Sequence, residues 1–217
     1  FVGILLIMLS VAYLKDLRGI SIQSSNELNY PLSLAILCLY FLYSLTPLTN
    51  ADSIDYHVGI PIHIIEYNSF PNGGEWFHAR LFGLGEYLNL LGISLKTYNL
   101  GSLIQFISLL SIYFSIISNI RSDSKVFNTI MRLSIISMPV LIFLIGTSKF
   151  QLFPIALIVL SLNIYINYWE KFSSKLKVSS ILFLCMSATL FKFNYLLPAF
   201  LISLITLPLI IALSYAF

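Results

Sequence analysis

Long apolar runs limit the fold of this chain more than any other feature. They are rich in Leu, Ile and Phe, and apolar residues make up 58% of the 217 residues while charged residues make up only 10%. A soluble domain has about 25% charged residues. The runs lack the alternation of apolar and polar residues that strands of an outer-membrane barrel show. The sequence therefore predicts an all-α integral membrane protein.

The apolar runs predict a polytopic helix bundle with about seven membrane segments. We expect a partial helix at 1–14 and helices at 31–48, 98–120, 126–147, 152–169, 178–191 and 195–216. The chain begins and ends inside apolar runs, at Phe1 and Phe217. We therefore expect a single transmembrane domain over residues 1–217 that is a piece of a longer protein.

One long polar segment, residues 49–97, interrupts the apolar runs. It holds five of the nine carboxylates and all three histidines. Helical periodicity on both sides of the turn SFPNGG predicts two amphipathic helices, the second with an apolar stripe that runs from Phe77 to Leu91. Such helices suit the membrane interface, so the segment is predicted to be a loop of interfacial helices that carries the active site.

The distribution of cations predicts which side of the membrane holds this segment. Short cytoplasmic loops carry an excess of Lys and Arg. If the segment is outside, eight of the twelve cations fall inside and four fall outside. The inner set is Lys15, Arg18, Arg121, Lys125, Arg132, Lys171, Lys175 and Lys177, and the outer set is Arg80, Lys96, Lys149 and Lys192. The polar segment is therefore predicted to be extracytoplasmic.

The motif Asp52-Ser-Ile-Asp55-Tyr56-His57 is the sharpest candidate for chemistry. Carboxylates three positions apart share a helix face, and a carboxylate at the membrane edge can act as a general base toward a hydroxyl. We therefore predict Asp52 and Asp55 as catalytic residues. The same stretch also matches a helix capping box from Thr49 to Asp52, and this structural interpretation stays open.

The aromatic and histidine side chains of the polar segment are candidate substrate ligands. These are Tyr56, His57, His63 and His78. The spacing of the three histidines fits no standard zinc pattern, so we predict no metal and no other cofactor, although a divalent metal remains possible beside the acids. Ordinary polar residues at a membrane interface would show the same pattern.

Three cations predicted to be outside are candidate ligands for a phosphate group. Lys149 and Lys192 lie at tight connections between helices, in GTSKFQ and LFKFNY, and a buried cation is costly unless it meets an anion. The predicted helix 178–191 is about 21 Å long, shorter than the hydrocarbon core of roughly 30 Å, which would draw Lys192 below the surface. Arg80 is the third candidate, and snorkelling toward lipid headgroups is the alternative explanation for all three cations.

Several of these stretches resemble the GT-C superfamily of membrane glycosyltransferases. The resemblance is closest to the bacterial branch related to protein mannosyltransferases and lipopolysaccharide-core glycosyltransferases. It covers roughly residues 31–217 and rests on DSIDYH, WFHARLFGLGEYLN, TSKFQLFPIA and FKFNYLLPA. In position, Asp52 matches the leading acid of the family motif and Tyr56 an aromatic that often follows it. Ser53 stands where the family usually has a second acid, and Asp55 follows one turn later.

The resemblance implies an enzyme of the bacterial inner membrane. It would transfer a hexose or pentose from a polyprenyl-phosphate donor to a glycan, lipid or protein acceptor outside the cytoplasm, with an Asp as general base. Its partners would be the lipid-linked sugar, the acceptor and membrane lipids, and nothing in the sequence indicates nucleic-acid binding. The alternative function is non-enzymatic, as a membrane protein for transport or assembly of polysaccharide or lipid.

Overall fold

The structure, a computed structural model, describes residues 29–72, 74, 76–120, 124–167 and 174–214. The predicted helix at 1–14 lies outside the described residues. The described residues from Pro31 onward belong to one compact unit.

The described residues form nine α-helices joined by short connections. These are α1 (Asn29–Ser44), α2 (Gly59–Tyr67), α3 (Leu84–Ser94), α4 (Leu100–Ile117), α5 (Lys125–Ile136), α6 (Pro139–Ile145), α7 (Leu152–Asn167), α8 (Ser174–Phe191) and α9 (Leu196–Ser214). A π-helical turn at Ser53–Val58 precedes α2, and short 3-10 helices lie at Phe77–Leu81 and Phe193–Tyr195. Helices α1, α4, α7, α8 and α9 occupy stretches where the apolar runs predict helices.

The prediction of about seven membrane segments is wrong. Among the described residues, only α4 is by itself long and apolar enough to cross a membrane, and α5 with α6 adds a second span if the bent pair counts as one. Shorter apolar helical stretches of 10–17 residues lie within or overlap α1, α7, α8 and α9. Apolar length in the sequence overestimates span number because capped ends, bends and 3-10 turns use up residues of each run. One such helix is weak evidence for a membrane, since the core helix of a soluble protein meets the same criterion.

Four helices pack side by side in the order α4, α7, α8 and α9. Buried apolar residues of α1, α4, α6 and α7 form the main core, among them Leu37, Leu109, Ile145 and Leu152. The hydroxyl of Tyr40 in α1 donates to the carbonyl of Ile136 at the end of α5, 2.8 Å away, which satisfies a buried polar group inside this core. The core thus joins the first helix of the unit to its middle.

The helix predicted at 126–147 is two helices, because a proline interrupts it. Met138 precedes Pro139 and has extended backbone angles, as the residue before a proline usually does. Pro139 then starts α6 at its first position, where its missing N–H costs no hydrogen bond. The two helices are bent by 42°. The chain therefore turns between α5 and α6.

The polar segment also differs from its prediction. The second amphipathic helix was expected to run from Phe77, but Phe77–Leu81 is a 3-10 helix and α3 begins only at Leu84, after an extended Gly83. Helix α3 packs against α2, α4, α8 and the π-helical turn. Because of these contacts, the polar face of α3 lies against the bundle. In an interfacial amphipathic helix the same face would lie in water.

Candidate functional site

A cleft opens where the polar segment meets the ends of α7 and α8. Its volume is about 350 Å³. Residues from four parts of the chain line it: Tyr56, His57, Gly83, Gly85, Glu86, Phe150, Phe191, Lys192, Phe193 and Asn194. The cleft combines aromatic walls with one carboxylate, one imidazole and one ammonium group, a composition typical of a small-molecule site.

The π-helical turn at Ser53–Val58 positions the histidine of this cleft. A π-helix has a wider turn than an α-helix and is frequently found at functional sites. The turn makes Ser53, His57 and Val58 buried. Ser53 Oγ accepts a hydrogen bond from the backbone N–H of Ser148, 3.2 Å away, which fastens the turn to the connection before α7.

His57 and Glu86 form a buried pair in the cleft wall. His57 Nδ1 lies 2.6 Å from Glu86 Oε1, and the two residues are 4% and 7% exposed. Glu86 Oε2 accepts the backbone N–H of Gly83 at 2.8 Å, as a residue in the first turn of a helix often does. Burial by itself raises the pKa of Glu86, but the hydrogen bond and charge of His57 and the backbone N–H groups of Gly83 and Glu86 outweigh it, so the pKa lies below 4.5. Glu86 is therefore ionised at neutral pH.

The ionisation of Glu86 determines the tautomer of His57. A carboxylate can only accept a hydrogen bond, so His57 Nδ1 carries the proton. The other ring nitrogen, Nε2, is buried and has no hydrogen-bond partner among the described residues. In the neutral imidazole that nitrogen holds a free lone pair.

Asn89 fixes the backbone around this pair. Its side-chain nitrogen donates to the carbonyl oxygens of His57, at 2.9 Å, and of Ser148, at 3.1 Å. Gly101 leaves room for this arrangement, since a Cβ there would lie 2.6 Å from Asn89 Oδ1 and 2.9 Å from the Cα of Ser148. The π-helical turn, α3 and the start of α7 are therefore held in one register.

Two lysines from separate connections interact electrostatically beside the cleft. Lys192 follows α8 and lines the cleft. Its pKa is lowered by burial and by the nearby charge of Lys149, while Glu86 opposes the shift. Lys149 Nζ lies 3.4 Å from Asp52 Oδ2. Lys149 is therefore paired with a carboxylate, whereas Lys192 lies among the residues that line the cleft.

The buried Gln105 of α4 holds the connection that carries Lys149. Its amide nitrogen donates to the carbonyls of Leu144, at 3.2 Å, and Lys149, at 2.5 Å. Its oxygen accepts the N–H of Leu152 at 2.8 Å. A single buried side chain therefore forms hydrogen bonds to backbone groups at both ends of the tight connection between α6 and α7.

The sequence matches the DUF1420 N-terminal domain over residues 6–216. The chain belongs to the DUF1420 family. No curated protein and no solved structure resembles it at a significant level.

Three of the nine side chains predicted as site residues of this DUF1420 chain line the cleft, and four others form contacts outside its lining. Tyr56, His57 and Lys192 line the cleft, and Lys149 and Asp52 form the ion pair next to Lys192. Asp55 is exposed and lies 3.0 Å from His78 Nδ1, and the ring of Tyr56 stacks on His78 with centroids 4.8 Å apart. These contacts make a polar surface around the cleft.

Other predicted residues lie away from the cleft lining. His63 contacts Tyr67 and Trp76, with ring centroids 4.6 and 6.1 Å apart, and Arg80 is exposed. Asp52 and Asp55 are both exposed and do not belong to the described lining. Their catalytic assignment in the DUF1420 chain stays a prediction.

The side chain of Asp52 does not cap the helical turn that follows it. The backbone N–H of Ser53 is capped by Asn50 Oδ1 at 3.2 Å, while the Asp52 side chain turns to Lys149.

The helix-length argument for Lys192 is wrong, because α8 begins at Ser174 and has 18 residues, not 14. Lys192 is partly buried because the cleft surrounds it.

Sequence reasoning missed Glu86 and Asn89 of the DUF1420 chain as site residues. Both lie largely opposite the predicted apolar stripe, and on an interfacial helix water would solvate them. A signal for Glu86 was present, since it follows the extended Gly83 by three positions. Phe150 and Phe191 carry no such signal in an apolar sequence. Among the described residues, no three His, Cys, Asp or Glu side chains come together as a metal site.

Proposed function

We propose that this chain is a membrane glycosyltransferase domain. It would move a sugar from a polyprenyl-phosphate donor to an acceptor hydroxyl on the extracytoplasmic side. The observation that carries this proposal is the position of Lys192 in the lining of a cleft that also holds a buried His–Glu pair, with the charge of Lys149 nearby.

The two lysines support a bound phosphate. Lys192 is destabilised as a cation by burial and by Lys149, and an anion between them would relieve both effects. During transfer the bond from the sugar to the phosphate breaks, and negative charge grows on the leaving phosphate. Fixed cations at that position stabilise the transition state more than the ground state. Asp52 would keep Lys149 oriented beside the cleft.

The walls of the cleft support a sugar. Its volume of about 350 Å³ lies at the lower end of small-molecule sites. Phe150, Phe191 and Phe193 offer aromatic surfaces. The pKa of Tyr56 is raised by burial and by the charges of Asp52, Glu86 and Asp55, so its phenol stays protonated and can donate to a sugar oxygen.

The outer surface supports a lipid donor. Large apolar side chains are exposed on several helices, among them Leu39 and Leu42 on α1, Phe143 on α6 and Leu197 on α9. Exposed apolar surface of this extent marks contact with a membrane or with other chains. We propose that the domain is embedded in the bacterial inner membrane with residues 49–97 on the extracytoplasmic side, in line with the charge distribution. A lipid-linked donor would then reach the cleft from the bilayer.

The test is donor binding by the purified chain in nanodiscs. A panel of polyprenyl-phosphate hexoses and pentoses is titrated against the wild type, Lys192→Met and the control Lys125→Met, which removes an exposed lysine of α5. Loss of one charge-assisted hydrogen bond predicts about 10- to 100-fold weaker binding for Lys192→Met only. Equal affinity of all three, or no binding and no transfer by the wild type, would favour the transport or assembly alternative.

A further inference from the structure

The buried pair of His57 and Glu86 has the geometry of a proton acceptor held in one orientation. Glu86 accepts the Nδ1 proton of His57 at 2.6 Å, and the second carboxylate oxygen is bound by the N–H of Gly83 at 2.8 Å. Neither group can turn without breaking a buried hydrogen bond. A carboxylate in this position fixes the tautomer and stabilises the imidazolium that forms when Nε2 takes a proton.

His57 Nε2 is a ring nitrogen to which no described side chain or backbone group forms a hydrogen bond. It is a buried polar atom without a hydrogen-bond partner among the described residues, and its ring lines the cleft. Buried polar groups are normally satisfied, so an unpaired nitrogen at a cleft indicates a ligand that completes it. The ring of Tyr56 lies against the imidazole, with centroids 4.0 Å apart, and screens it from bulk water.

The carboxylates predicted as bases are less well placed. Asp52 is paired with Lys149, and its side chain is 56% exposed. Asp55 is paired with His78 at the surface. Both carboxylates are therefore engaged in contacts outside the cleft lining.

We propose that His57 Nε2 is the general base that activates the acceptor hydroxyl, with Glu86 as its positioning residue. The inference rests on the proposed function. The acceptor O–H gives its proton to Nε2, and its oxygen forms a new bond to the anomeric carbon of the donor sugar. The bond between that carbon and the phosphate oxygen breaks with its electron pair, so that polyprenyl phosphate leaves toward Lys192. The proton passes from Nε2 to water after the product departs.

The titratable groups that surround the imidazole come from three elements. Glu86 belongs to α3, Lys192 follows α8, and Tyr56 belongs to the same π-helical turn as His57. Asp52 and Asp55 act on Tyr56 from the polar rim. Among these groups, Glu86 is the one hydrogen-bonded to the imidazole, so a substitution at Glu86 acts on His57 most directly.

The experiment compares steady-state transfer by the wild type, His57→Asn and Glu86→Gln in nanodiscs across pH. In His57→Asn the side-chain amide nitrogen replaces Nδ1, so Glu86 keeps its hydrogen bond while Nε2 is lost. We expect kcat to fall about 10²- to 10⁴-fold, donor affinity to stay within about three-fold, and the acid limb of the pH–rate profile to disappear. Unchanged donor affinity also shows that the variant is folded.

Glu86→Gln tests the positioning role separately. The imidazolium loses its carboxylate partner, so the acid limb should move to lower pH while kcat falls. The control is Asn163→Ala, which removes a buried side chain that bonds Asn119 and Asn167 in another part of the bundle. It should lower the melting temperature without moving the pH profile.

Histidine-selective ¹⁵N NMR measures which ring nitrogen of His57 carries a proton, and it needs no substrate. The signal that His57→Asn removes should show a protonated Nδ1 and a free Nε2 in the neutral state. A protonated Nε2, or full transfer with an unchanged profile in His57→Asn, would overturn the assignment of the base and leave the proposed function standing. No donor binding and no transfer by the wild type would overturn both.

Discussion

Asp52 Oδ2 and Lys149 Nζ lie 3.4 Å apart, although 97 positions separate the two residues in the chain. The Asp52 side chain is 56% exposed and that of Lys149 is 23% exposed. An exposed ion pair of this kind contributes at most about 1 kcal/mol to stability. We infer that the pair has another role: Asp52 orients the ammonium group of Lys149, whose charge acts on Lys192.

Asp52→Asn should therefore affect the donor more than the fold. We expect the free energy of unfolding to change by less than about 1 kcal/mol, the KM for the lipid donor to rise roughly 10-fold, and kcat to change little. Denaturant melts and steady-state transfer assays measure these quantities. A fall in kcat of about 10²-fold or more with an unchanged KM would support Asp52 as the base predicted from the sequence.

The lowered pKa of Glu86 predicts a pH-dependent difference in stability. The folded-state pKa lies below 4.5, so the stabilising effect is complete above about 4.5 and is lost as the pH falls through the lower folded-state value. Glu86→Gln should be less stable than the wild type by roughly 1–3 kcal/mol at pH 7. Thermal unfolding between pH 7 and pH 3 should show this gap closing, and a constant gap would contradict the prediction.

Lys192→Met should make the ligand-free protein slightly more stable. The pKa of Lys192 is lowered mainly by burial and by Lys149. The charged ammonium group is therefore less stable in the folded chain than in the unfolded chain, and at neutral pH it lowers the stability of the fold. Removing the charge should raise the melting temperature at neutral pH by about 2 °C. The exposed Lys125→Met is the control, with no expected change. A lower melting temperature for Lys192→Met alone would show that the lysine stabilises the fold.

Two glycines provide a matched test of packing around the site. A Cβ at Gly101 would lie 2.9 Å from the backbone of Ser148 and 2.6 Å from the side chain of Asn89. At Gly74 the nearest atom would be 3.8 Å away. Gly101→Ala should cost about 1–3 kcal/mol, whereas Gly74→Ala should be neutral within about 0.5 kcal/mol. Chemical denaturation of both variants measures the difference, and equal stability would show that Asn89 moves freely.

Most helix positions follow from the sequence because they depend on local apolar runs and local breakers. The runs at 152–169 and 195–216 predict α7 and α9 to within a few residues. Pro139 also signals a break by itself, although the continuous apolar pattern around it led to the prediction of one helix. The number of membrane spans did not follow, because it depends on bends and helix ends that hydropathy does not record.

The sequence alone determined that ionisable groups gather in residues 49–97 and that Lys149 and Lys192 stand out at helix connections, since both conclusions depend only on order along the chain. Only the tertiary structure decided which of these groups meet. The π-helical turn makes His57 buried, and packing of α3 against α4 and α8 brings Glu86 within 2.6 Å of it. Contacts between residues far apart in the chain arise from helix packing, and the periodicity of a single helix does not encode the partner that its polar face meets.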